Sequence, residues 1–123
     1  MGYDGARVKG STGDLPSVKQ TEVLERLAAT IVSRLKADPA TSYVASLAAK
    51  GQDAILKKVA EEAAETLLAS KDGDKLHLIR ETADLWFHCM VLLAWHGVDP
   101  GDVLDELQRR EGTSGVAEKK SRP

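Results

Sequence analysis

The chain is poor in rings and in sulfur. Aromatic residues make up 4% of its 123 positions, and there is one cysteine, Cys89. With so few rings, the core must come from Leu, Val, Ile and Ala, as in a helical bundle. One cysteine excludes an internal disulfide and suits a reducing compartment, so a cytoplasmic location is expected. Set in an apolar run, Cys89 reads as a small buried residue rather than a reactive thiol. A dominant charge sign is also missing. A net charge of −2 gives no general pull toward nucleic acid or an anionic membrane, and neither partner is expected. No positively charged start leads into an apolar stretch, so no signal peptide is expected. The longest apolar run, Leu85 to Trp95, is broken by His88 and too short to span a bilayer. The sequence also lacks strand-type alternation, a glycine-rich phosphate loop, zinc-type Cys/His spacing and a nucleophile elbow.

What is present is helical. Apolar residues reach 42%, enough for one small domain, though such domains often oligomerise. Residues 1–20 show no apolar period and read as a disordered leader or a segment of cloning origin. Ser17-Val-Lys-Gln20 has the form of a capping box. A helix over about Thr21 to Lys36 carries Val23, Leu24, Leu27, Ile31 and Leu35, and Asp38-Pro39 ends it. Ser42 to Gly51 reads as a short helix or ordered loop. Asp53 is placed to cap a helix from about Ala54 to Lys71, which Gly73 stops. Asp74 can cap the next helix, about Lys75 to His96. Asp99-Pro100 opens the last one, which ends near Glu111-Gly112. The helical domain is thus expected over residues 21–112, followed by a basic tail over 113–123. The fold class is all-α, a bundle of four to five helices with short loops.

Two of these helices carry paired acids. Glu62 and Glu65 share a face with Lys58, all within roughly 60°, with Glu61 just beside them. On the following helix His77, Glu81, Asp84 and His88 cluster within roughly 60°. If the two faces meet, their carboxylates form a partial cage for a hard divalent ion such as Mg²⁺, which prefers oxygen ligands. Such an ion would neutralise phosphate charge and sharpen a water as nucleophile, with lysines holding a leaving pyrophosphate. A di-iron site would instead want Glu-x-x-His on two helices. The competing reading is a solvated acidic face with Lys57–Glu61 and Lys58–Glu62 pairs. His77 and His88 read first as core-edge residues, and second as additional ligands or bases. Trp86 and Trp95 read as packing residues. From Leu85 to Trp95 the helix is apolar nearly all round, so it needs cover on every side, and a homodimer or higher oligomer is expected.

These residues also resemble a known family. Glu61-Glu62-x-x-Glu65 followed by Glu81-x-x-Asp84 resembles the paired signature of the all-α NTP pyrophosphatase (MazG-like) superfamily. The stretch Lys50-Gly51-Gln-Asp-Ala-Ile-Leu-Lys-Lys58 and the tail around Arg109-Arg-Glu-Gly-Thr-Ser-Gly115 narrow the likeness to the phosphoribosyl-ATP pyrophosphatase family. Ser42-Tyr-Val and Ala83-Asp-Leu-Trp-Phe-His88 belong to it as well. The resemblance implies Mg²⁺-dependent hydrolysis of 1-(5-phosphoribosyl)-ATP to 1-(5-phosphoribosyl)-AMP and pyrophosphate, the second step of histidine biosynthesis, in a dimer. It implies Glu62, Glu65, Glu81 and Asp84 as metal ligands. Glu61 would orient a water or bind a second ion, and Lys57 and Lys58 would meet the phosphates, Lys58 the better placed. Two other functions fit the pattern: a house-cleaning nucleoside triphosphate pyrophosphohydrolase, and a non-catalytic helical interaction dimer.

Overall fold

The structure, a computed structural model, describes residues 19–123. Among these are six α-helices and no strand: α1 Gln20–Arg34, α2 Tyr43–Lys50, α3 Gln52–Asp72, α4 Lys75–Trp95, α5 Pro100–Arg109 and α6 Gly115–Ser121. The all-α expectation holds. The sixth helix is the difference, because the sequence reading left residues 113–123 as a plain tail. Most of the proposed leader, with Ser17 of the proposed capping box, lies outside the described residues. Lys19 takes the cap position of α1 without a side-chain cap bond.

The local signals mostly act as read. Ser42 accepts from the Ala45 amide and starts α2. Asp53 does not cap α3, however. Gly51 does, with φ 98, and the same residue closes α2. One glycine therefore turns the chain between two helices, in a backbone region that side-chain-bearing residues avoid. Asp53 falls into the first turn instead, where its charge suits the positive helix end. Gly73, in left-handed conformation, closes α3. Asp74 accepts from the amides of Leu76 and His77 at 3.0 and 3.2 Å and opens α4. This two-residue link folds α3 against α4 as an antiparallel hairpin. Each arm has 21 residues, or about 31 Å of helix. Their contact is the most extensive between any two of the six described helices. Asp99 and Pro100 open α5 as expected.

α1 and α2 cover only one end of this hairpin. There Ile31, Val44, Leu47, Ile55, Phe87, Met90 and Val91 make the core. Beyond it, α3 and α4 outrun their cover. Leu67 is 71% exposed, Ile79 64% and Trp86 60%, with Leu68 and Leu76 also in the open. The apolar residues of α3 are thus divided: Ile55 is buried and Leu67 is not. On α4 the same division leaves Phe87, Met90 and Val91 inside, while Trp86 and Trp95 face out. Cys89 is half-buried, and burial pushes its thiol above the usual range, in keeping with an inert residue.

Candidate metal centre

The buried residues of α3 are Ile55, Glu62 and Ala69. They stand seven apart, a seam that faces the partner helix. Glu62 therefore occupies a position where its neighbours along the seam are apolar. Opposite it on α4 stand Glu81 and Asp84, one turn apart. Glu62, Glu81 and Asp84 each bring a carboxylate oxygen to within 4.8 Å of the others.

The burial of this cluster is costly as it stands. Glu62 is only 2% exposed. One of its oxygens, Oε1, lies 3.3 Å from Lys58 Nζ. The other, Oε2, is buried with no hydrogen-bond partner among the described residues, and so is Oε2 of Glu81. Glu81 Oε1 has His77 Nε2 at 3.4 Å, and His77 Nδ1 in turn sits 3.4 Å from Asp72. A buried polar atom without a partner costs about 1–3 kcal/mol. Carboxylates within 4.8 Å of one another repel by about 3.5 kcal/mol or more per pair at an effective dielectric near 20. Lys58 offsets only part of this. Two orphaned, inward-facing carboxylate oxygens fit a cation, and an all-oxygen donor set fits a hard one.

The surrounding charges divide into two groups. Lys58 belongs to the site. Burial works against its ammonium, but the Glu62 hydrogen bond, Tyr43 and Glu61 outweigh that and hold it more firmly protonated than usual. Glu61 is exposed and shares Lys58 at 3.5 Å and Lys57 at 4.0 Å. Lys57 is almost wholly in solvent, so its pair with Glu61 is the ordinary surface interaction that the competing reading foresaw. Glu62 is not part of any solvated face. Glu65, one turn further along α3, is exposed and stands outside the gathered three.

A second arrangement backs the cluster. His88 is fully buried. Its Nδ1 lies 2.7 Å from the Asp84 carbonyl oxygen, and its Nε2 lies 2.7 Å from the Tyr43 hydroxyl. The sequence reading weighed His88 with His77 and not with Tyr43. Tyr43 is 45 positions away, and no local spacing pairs them.

A separate charged cluster holds α6. The buried Glu118 carboxylate accepts from Arg109 Nη2 at 2.8 Å and from Arg122 Nε at 3.0 Å. Arg109 also grips Glu106 with two nitrogens. The arginine hydrogen bonds hold both carboxyls below their usual range, against the effect of burial. These side chains and Ser121 line a cavity of about 500 Å³. It shares no lining residue with the carboxylate cluster.

Residues 24–111 match the family model described as phosphoribosyl-ATP pyrophosphohydrolase. The chain belongs to the phosphoribosyl-ATP pyrophosphohydrolase family. It is 67% identical to the phosphoribosyl-ATP pyrophosphatase of Chromobacterium violaceum over 101 residues, covering 82% of this chain and 94% of that one. The enzyme of the same name from Nitrosospira multiformis is 64% identical, with 82% and 84% covered. That of Neisseria gonorrhoeae is 59% identical over 100 residues, with 81% and 94% covered. Of the residues expected to act in a phosphoribosyl-ATP pyrophosphohydrolase, the fold gathers Glu62, Glu81 and Asp84 and sets Lys58 against them. Glu61, Lys57 and Glu65 line the solvent side of the same stretch of α3.

Proposed function

We propose that this phosphoribosyl-ATP pyrophosphohydrolase cleaves 1-(5-phosphoribosyl)-ATP to 1-(5-phosphoribosyl)-AMP and pyrophosphate, the second step of histidine biosynthesis, at the carboxylate cluster between α3 and α4. Its relatives bear the name of that activity over most of their length. The observation that carries the location is the pair of orphaned carboxylate oxygens on Glu62 and Glu81. Glu62, Glu81 and Asp84 would hold Mg²⁺, with Glu65 the fourth ligand from the solvent side. When bound, Mg²⁺ supplies positive charge for the phosphate oxygens and raises the acidity of water.

The protein's own groups have distinct tasks in this scheme. Lys58, fixed between Glu61 and Glu62, meets the phosphates as they arrive and offsets the charge that gathers on the departing pyrophosphate. Lys57, exposed and flexible, adds a second contact. Water adds to one phosphorus of the α–β anhydride, the bridging P–O bond breaks, and 1-(5-phosphoribosyl)-AMP and pyrophosphate separate. Glu61 orients that water and takes its proton, which an exposed carboxylate can return to solvent.

The exposed apolar stripe of α4 is proposed to pair two chains. Leu76, Ile79 and Trp86 stand at helical spacing on one side of it, with Leu67 and Leu68 of α3 also uncovered. Burying each such side chain contributes about 1.5–3 kcal/mol, so a homodimer covers what α1 and α2 leave open. Among the described residues no helix is long and apolar enough to cross a membrane, and we place the enzyme in the cytoplasm, where a lone thiol persists.

The test is pyrophosphate release from phosphoribosyl-ATP with Mg²⁺ and with EDTA, beside a panel of nucleoside triphosphates. Metal-dependent release from phosphoribosyl-ATP is expected. Release from the other triphosphates alone would discard the histidine-pathway substrate and keep the chemistry.

A further inference from the structure

The cavity between α5 and α6 carries more positive charge than the docking of α6 requires. Glu118 is the one buried residue of α6, and the bond it accepts from Arg109 at 2.8 Å ties it to α5. Arg122 adds a bond at 3.0 Å from the end of the same helix. Arg110 takes no such part. Its Nε lies 3.6 Å from Glu106 and 3.8 Å from Glu118, beyond hydrogen-bond length, and is buried without a partner among the described residues. A buried donor left unmet is costly, so docking alone gives no reason to draw Arg110 in.

Glu118 is engaged unevenly as well. Both arginine bonds fall on its Oε1, while Oε2 is buried and unmet. A carboxylate that served only as a latch would take one arginine in a fork, as Glu106 takes Arg109. Here one oxygen gathers two guanidinium groups and has a third at 3.8 Å. All three arginine side chains stay about half exposed, and all three line the cavity. Each guanidinium has several N–H donors, so most of them are left over for a ligand. Against the two carboxylates, Glu106 and Glu118, the three arginines leave net positive charge at the cavity wall.

Convergent guanidinium groups with spare donors match the oxygens of a phosphate, whose negative charge takes up the surplus. A cavity of about 500 Å³ has the size of a small-molecule site and far exceeds a phosphate group alone. The ligand therefore carries an organic body, and a polar one suits a wall of charged side chains and Ser121. We propose that this cavity binds a sugar phosphate, its phosphate held by Arg110 and Arg122, with Glu118 and Arg109 setting those guanidinium groups in place. Such a phosphate has two sources: the phosphoribosyl end of the substrate proposed above, or a separate sugar phosphate.

The experiment uses the whole chain. Amide ¹H–¹⁵N spectra are recorded in EDTA as ribose 5-phosphate is added, so that no metal draws the phosphate to the carboxylate cluster. Saturable shifts at residues 109–122 are expected, and none with ribose. Arg110→Met should weaken binding by about 10–100-fold, the usual effect of losing a hydrogen bond between charged groups, with the Gly115–Ser121 amides still protected from exchange. Absence of shifts at residues 109–122 in the wild type overturns the proposal whatever the variant does. Equal affinity in Arg110→Met overturns it too, and so does a variant in which α6 comes loose, which would make Arg110 a structural residue. Kinetics with phosphoribosyl-ATP and Mg²⁺ then name the source. Competitive inhibition by ribose 5-phosphate, relieved in Arg110→Met, supports the substrate's own phosphoribosyl end; binding without competition supports a separate sugar phosphate. The binding arm reads neither metal nor turnover, so a failure of the carboxylate reading leaves it intact.

Discussion

Replacing Glu62 by Gln should make the metal-free protein more stable and the enzyme inactive. The carboxylate is 2% exposed and lies within 4.8 Å of two others. Neutralising it removes two repulsions of about 3.5 kcal/mol each at an effective dielectric near 20. It also removes the attraction to Lys58 at 3.3 Å, which on the same scale is about 5 kcal/mol. The amide oxygen still accepts from Lys58. The amide nitrogen replaces the orphaned Oε2 and can donate toward the Glu81 carboxylate. These terms leave a balance of about 1–2 kcal/mol in favour of Gln, which for a domain of this size raises Tm by roughly 5–10 °C. Mg²⁺ should reverse the order. At a hundred times its Kd it adds about 2.7 kcal/mol to the wild type and far less to the variant. The assay is thermal unfolding of both proteins at one concentration, in EDTA and in Mg²⁺, beside pyrophosphate release. A Glu62→Gln protein that melts several degrees below wild type in EDTA would refute the reasoning. So would one that gains as much from Mg²⁺ as the wild type does.

The remaining predictions concern other parts of the molecule. Lys58→Met strips Glu62 Oε1 of its partner at 3.3 Å; stability should fall by about 1–3 kcal/mol in a denaturant titration and activity should fall with it, and an unchanged midpoint would argue against a buried pair. Ile79→Glu places a charge in the middle of the exposed α4 stripe; sedimentation should show a monomer, and a stable dimer would move the interface elsewhere. Acid should release α6: Glu118 and Glu106 are held below the usual carboxylate range, chiefly by Arg109 hydrogen bonds. A group with a lowered folded pKa stabilises the fold above its unfolded value and loses that contribution as pH falls through the folded one. Exchange protection of the Gly115–Ser121 amides should therefore hold from neutral pH down into the usual carboxylate range and be lost only in stronger acid; protection lost already above about pH 5, or undiminished at about pH 1, would assign the docking to other forces.

The helix limits were legible because their causes are local. Gly73 and Asp74 stop and restart the chain through their own backbone and side-chain bonds, and neither depends on a distant residue. The carboxylates on α4 were legible for the same reason, since one turn of helix puts Glu81 beside Asp84 in any fold. Three features were not. α6 has no apolar period to announce it. It is held by Arg109 and Arg122 on Glu118, and the Arg109 bond is made across the turn after α5. The Tyr43–His88 bond joins residues on two helices whose approach is set by the packing around Phe87. The third is the difference between Glu62 and Glu65. Both sit on one acidic face by angle, and spacing alone ranks them equally. What separates them is the seam of Ile55 and Ala69, each seven residues from Glu62. A seam position between two apolar ones is the place where a bundle puts Leu or Ala. A glutamate there contradicts the packing rule, and a chain keeps such a contradiction where the site requires it. The sequence holds that signal, but only for a reader who first asks which face of α3 meets α4. The acid that breaks the apolar seam points to chemistry more strongly than the acids that extend a charged face.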